Sequence, residues 1–196
     1  MPICGKITAD LTINCDNPLQ SGSEDSLILI NREDWLDAAV TYNVTNNGII
    51  EAVALPTGVE GFSYEGKNNS IAPKYELIKQ TYSDVYNHEV NFKVFDVSPI
   101  GKEQLELLAK GQMVAIVQNK YKGTDGNAAY EVYGVDAGLV CTQNLREITN
   151  VETGGAFDLI LKSAETSLEP KMPRTFFITD YATTKTAVEA LLTPAV

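Results

Sequence analysis

The sequence predicts a mainly β domain with one flanking α-helix and a second helix at the C-terminus. Three observations carry that expectation. Val, Ile and Thr account for 47 of the 196 residues, and β-branched side chains suit pleated surfaces. Residues 6–15 (KITADLTINC) alternate apolar and polar without a break, the period of a half-buried strand. Turn residues, among them Asn-Gly, Asp-Gly and Gly-Asn pairs, punctuate the apolar runs. No linker, internal repeat or low-complexity tract divides the chain, so residues 1–196 read as a single domain.

In chain order, residues 6–15 place Ile7, Ala9, Leu11, Ile13 and Cys15 on one face, and Asp16-Asn17-Pro18 ends that strand. Residues 19–26 read as an exposed loop. Leu27–Ile30 is a continuous apolar run, which predicts a strand buried on both faces. Residues 40–45 and 49–55 read as strands with Thr45-Asn46-Asn47-Gly48 between them, a hairpin signal, because Asn and Gly tolerate positive φ. Residues 56–74 are rich in Gly, Asn, Ser and Pro and read as a long loop. Residues 75–82 and 85–97 read as strands, with Tyr86, His88, Val90, Phe92 and Val94 on one face of the second.

Ser98 and Pro99 open a helix over 99–110 that Gly111 stops, with Leu105 and Leu108 on its apolar face. A strand at 113–118 and a polar loop at 119–128 lead into a long alternating strand at 130–140. Residues 143–155 fit either a loop or a weak helix. Strands at 156–162 and 175–179 follow. Asp180 caps the last helix, 181–192, which Pro194 stops.

Composition narrows the function. Apolar residues at 44% and charged residues at 21% describe a globular rather than a disordered chain. The net charge of −11 gives no electrostatic footprint for gripping nucleic acid. No apolar run approaches the roughly 18 residues of a membrane span, and no secretory leader is visible at the N-terminus. Cys4, Cys15 and Cys141 have unrelated spacings, which predicts free thiols rather than a disulfide framework. The Asn43-Val44-Thr45 and Asn68-Asn69-Ser70 triplets match the glycosylation pattern and read as coincidental.

No phosphate loop, dinucleotide fingerprint, zinc motif or nucleophile elbow is present. His88, the single histidine, neighbours Glu89, but adjacent strand residues point to opposite faces, so a structural histidine is expected. Gly123-Thr124-Asp125-Gly126-Asn127 hints at calcium but offers one carboxylate, too few for such a site. We therefore expect no enzyme activity, cofactor or metal. The remaining features are two long polar loops, 56–74 and 119–128, of the kind that serve binding or assembly. Residues 1–60 carry −7 of the net charge.

Three stretches carry a resemblance: CGKITADLTINCDNP (4–18), YKGTDGNAAYEVYGVDAGLV (121–140) and GGAFDLILKSAETSLEPKMPRTFF (154–177). They resemble structural proteins of bacteriophage particles, and in kind the tail tube (major tail) proteins of long-tailed phages. The resemblance implies a β-sandwich with a helix on its side whose strands join between subunits into a barrel. It implies hexameric rings stacked into a tube, made in the bacterial cytoplasm and incorporated into the virion tail. The partners would be further copies, other tail proteins, and DNA that passes through an acidic conduit without being held; no membrane is involved. By type, the helix near 103–110 would flank the sandwich, residues 1–20 would form an arm, and 119–128 or 56–74 would reach the next ring. Lys120, Tyr121, Lys122, Asp125 and Asn127 are the candidate inter-subunit contacts. The competing readings are another virion ring or decoration protein, the tube protein of a bacterial injection machine, and a monomeric β-sandwich that binds a ligand through Phe62, Tyr64 and Tyr121.

Overall fold

The architecture follows from one pair of central strands that are apolar on both faces. In the computed structural model, which describes residues 7, 9–12 and 15–194, these are β1 (Ser23–Asn31) and β7 (Gln112–Asn119). They pair antiparallel, from Leu27 against Val117 to Asn31 against Met113. Side chains alternate across a strand, so Leu27, Leu29, Met113, Ala115 and Val117 enter one core while Ile28, Ile30, Val114 and Ile116 enter another. The continuous apolar run at 27–30 thus has the two-sided burial expected of it.

At β7 the sheet forks. One edge pairs with β1, and the short β4 (Phe62–Glu65) adds outside that. The other edge pairs with β8 (Tyr130–Tyr133) along Ala115–Gln118 and with β9 (Leu139–Arg146) at Gln112 and Met113. From β8 the path runs to β11 (Arg174–Phe176), β3 (Ile49–Ala54) and β2 (Ala39–Tyr42). From β9 it runs to β10 (Phe157–Ser163), β6 (Asp84–Val94) and β5 (Ile71–Lys79). The β11–β3 pair is parallel and the other pairs are antiparallel. The protein is therefore mainly β, with a large mixed sheet and, among the described residues, three helices.

Helix α1 (Arg32–Asp37) buries Trp35 in the second core, and α3 (Tyr181–Ala190) adds Val188 there. Helix α2 (Pro99–Leu108) adds Leu105 and Leu108 to the first. The sequence signals for α2 and α3 hold at the atomic level. The Ser98 hydroxyl accepts from the Gly101 N–H at 3.1 Å, and Asp180 accepts from the Thr183 N–H at 2.9 Å. Each satisfies an orphan donor of the first turn. The predicted hairpin at 46–48 joins β2 to β3, and Asn43 Oδ1 accepts from the N–H groups of Thr45 and Asn46.

Five expectations are corrected. Residues 7, 9–12 and 15 lie outside any strand, and Ile7 and Leu11 are 87% and 98% exposed; the rest of the predicted strand at 6–15 lies outside the described residues. The predicted loop at 19–26 becomes strand from Ser23, because β7 supplies a partner edge. The predicted loop at 56–74 holds β4 and the start of β5. The predicted strand at 130–140 breaks at the turn 134–138. Gly134 there has φ +77°, and a Cβ on it would lie 2.7 Å from Leu139 Cγ. Within 143–155 the chain is strand to Arg146 and then turns, rather than helix. No element is expected from sequence over residues 31–38, where α1 (Arg32–Asp37) forms around the buried Trp35.

Candidate functional site: an open strand and an apolar groove

The predicted contact loop folds back on its own subunit. The Lys122 ammonium donates to Glu24 Oε1 at 2.9 Å and to the Asn119 carbonyl at 2.8 Å, and lies 5.3 Å from the Tyr181 ring centroid. Lys120 donates instead to Asn69 Oδ1. Gly126 packs against the backbone of Tyr181, where a Cβ would approach within 2.5 Å of Tyr181 Cβ. Lys120, Tyr121 and Lys122 are accordingly half-buried, whereas Asp125 and Asn127 face solvent. The five predicted contacts are near neighbours in sequence but do not form one exposed patch.

His88 is 1% exposed and fully occupied. Its Nδ1 accepts from the Gly134 N–H at 3.2 Å, so Nε2 carries the proton and donates to the Lys171 carbonyl at 3.0 Å. Burial pulls its pKa down to about 4. Glu89 turns to the other face and pairs with Lys74 at 2.8 Å, so no acid–base pair forms. Around the same turn, Glu169 accepts from the N–H groups of Asp136 at 3.0 Å and Ala137 at 2.8 Å. Burial raises the Glu169 pKa. Arg174 donates to Asp136 Oδ2 and to the Asn47 carbonyl, both at 2.7 Å, and lies over the Tyr42 ring. These groups clamp the turn at the fork of the sheet. Among the described residues no group of His, Cys, Asp or Glu is arranged to hold a metal ion, and Cys15 and Cys141 are free thiols. No helix among them is long and apolar enough to cross a membrane.

Two surfaces stand apart from this satisfied interior. The first is β5. Among the described residues it pairs with β6 alone, and Lys74, Tyr75, Glu76 and Leu77 are consecutively exposed, so the strand is wet on both faces as well as along one edge. Pro73 is compatible with such an edge. At the other end of the strand path, β2 also pairs along one edge only among the described residues.

The second surface is a groove of about 930 Å³ between β4 and α2. Its floor is Leu29, Met113, Leu105 and Leu108, all members of the first core. Phe62, Ile100 and Leu107 form its rim, and each is about half exposed or more. The first core is therefore open on this side, beside a β4 edge that has no strand partner among the described residues. Phe62 and Tyr64, named from sequence as binding aromatics, line the groove, with Tyr64 edge-on to Phe92 at 5.6 Å. Tyr121 belongs to the distant loop. The alternation of Phe62 and Tyr64 between Gly61 and Gly66 was the available signal for β4, hidden by the Gly and Asn content around it. No family model, curated protein or solved structure matches the chain.

Proposed function

We propose that this chain is a self-assembling structural subunit of the phage tail-tube kind, closing into rings, most simply of six copies, that stack into a conduit for DNA. The observation that carries the reading is β5, which among the described residues has no strand partner along its outer edge beyond the Ile71 end and is exposed on both faces over residues 74–77. Such an edge is a template for another chain. Pairing it with the β2 edge of the next copy is a heterologous contact, and heterologous contacts related by rotation close into rings. On this reading part of the sheet is a roll: the path β1–β7–β9–β10–β6–β5 returns to β1 where the Ser23 hydroxyl donates to the Ile71 carbonyl.

The net charge of −11 per copy suits a tube that DNA traverses without sticking, since proteins that hold DNA neutralise phosphates with Lys and Arg. The role requires no catalytic step and places the protein in the virion tail with other tail proteins. A second reading, a monomer that binds an apolar ligand, is favoured by the groove alone. Light scattering with negative-stain microscopy separates them. Rings or hollow tubes of uniform width support the tube subunit; a 21.4 kDa particle at every concentration overturns it.

A further inference from the structure

We propose that residues 9–12 are a strap that closes over the β4–α2 groove of their own molecule, seated as a strand parallel to β4 along its outer edge. This contact is independent of self-assembly. Two apolar surfaces of one molecule are left to water. The groove exposes the first core beside a β4 edge that has no strand partner among the described residues. Leu11 is 98% exposed and shares a face with Ala9, and Ile7, 87% exposed, continues that face. A strand in the groove would satisfy the β4 edge with backbone hydrogen bonds and turn every second side chain inward. Phe62 and Tyr64 lie opposite Leu29 and Leu27, on the face of the first core, so Ala9 and Leu11 would extend the same face. Closure then takes both apolar surfaces out of water together.

The root of the strap selects its own molecule and sets its direction. The Asn17 side-chain amide donates to the Gly123 carbonyl at 3.1 Å. Lys122, the neighbour of Gly123, pairs with Glu24 at 2.9 Å. The carbonyl of Asp25, next along β1, accepts from the Gly66 N–H at 2.8 Å. Gly66 and Lys67 line the groove, so the strap is rooted close to one of its ends. From Asn17 the extended chain reaches about 20 Å to Leu11 and about 33 Å to Ile7, whereas the four residues of β4 span about 13 Å. A segment tethered this closely acts at about millimolar effective concentration, which a second copy in dilute solution does not match. Strand β4 runs from Phe62, opposite Leu29, to Glu65, opposite Ser26 at the root end. A strap that leads back from the root toward its N-terminus therefore runs parallel to β4, with Leu11 toward Glu65 and Ala9 toward Phe62.

Amide hydrogen exchange on the full chain tests the strap. Residues 9–12 lie outside any strand in the structure and exchange freely when unseated. Seating should slow them and the outer-edge N–H groups of β4 by about tenfold or more, the factor being set by the ratio of closed to open molecules. Leu11→Asp should return both segments to fast exchange while β1 and β7 stay protected, which serves as the control for folding. Ile100→Asp on the groove rim, at a side chain 70% exposed, should free residues 9–12 in the same way. Nitrogen-15-labelled Leu11→Asp chain mixed with excess unlabelled parent should keep its fast β4, because each groove is closed by its own strap. Fast exchange of residues 9–12 in the parent overturns the proposal. So does a Leu11→Asp variant that frees residues 9–12 but leaves β4 slow, since the strap would then seat elsewhere. Rescue of the labelled variant's β4 by the parent would give the groove to a second copy and also overturn it. None of these readings changes with whether the chain forms rings.

Discussion

At the residue scale the most exacting position is Gly134. Its φ of +77° and the 2.7 Å approach of a Cβ to Leu139 Cγ mean that Gly134→Ala combines backbone strain with overpacking. Together these should cost about 2–4 kcal/mol, read as a lower urea midpoint; a shift below about 0.5 kcal/mol would contradict the tight turn. His88 gives a pH signature at the same place. Its folded pKa near 4 lies below the ordinary 6.5, so the neutral form is favoured by folding. The associated stability is present above pH 6.5 and is withdrawn as the pH falls toward 4, about 3 kcal/mol in all. Glu169, raised by burial, acts in the opposite sense, gaining as it protonates. His88→Gln should therefore flatten the acid slope of stability between pH 6.5 and 4, and an unchanged slope would contradict this assignment. The structural role of His88 was legible from its alternation with Val90 and Phe92. The turn that occupies it was not, because Gly134 and Gly138 fall inside an alternating run that mimics one long strand.

At the element scale, local signals survived where a strong cap or stop fixed the ends. Helix α2 is the clearest instance, with Ser98 at its cap and Leu105 and Leu108 buried. Ser98→Ala should cost about 1 kcal/mol. Leu105→Ala should cost about 2–5 kcal/mol in the urea midpoint, whereas Leu107→Ala on the exposed face should change it by less than about 0.5 kcal/mol. Equal effects at 105 and 107 would contradict the packing. Local signals failed where a partner edge decides the state. Residues 23–26 and 62–65 are polar or Gly-flanked and become strand only because β7 and β1 lie beside them. Residues 7–12 alternate well in sequence, and yet residues 7 and 9–12 have no strand partner within the described residues. Strand β5 is the counterpart, regular in backbone but exposed on both faces. Leu77→Asp should abolish oligomers at unchanged monomer stability, since Leu77 is 47% exposed; oligomers of undiminished mass would remove β5 from the interface.

At the scale of the whole molecule, the mainly β class and the two capped helices were legible from periodicity, caps and turns. The forked topology was not, because β7 shares one edge between β8 and β9 and no local pattern encodes that choice. The candidate surfaces were legible only in part. The loop at 119–128 looked free in the sequence and is instead pinned by Glu24 and Tyr181, while the groove arises from residues far apart in the chain. With −11 per copy, like charges oppose assembly, so raising salt from about 10 mM to about 150 mM should promote it by shortening the Debye length from about 30 Å to about 8 Å. The most direct measurement is negative-stain microscopy of the purified full chain across that salt range, with light scattering on the same samples. Rings or hollow tubes of uniform width, more abundant at the higher salt, are the expected result. A particle that stays at 21.4 kDa at every concentration and salt would contradict self-assembly through the open strands.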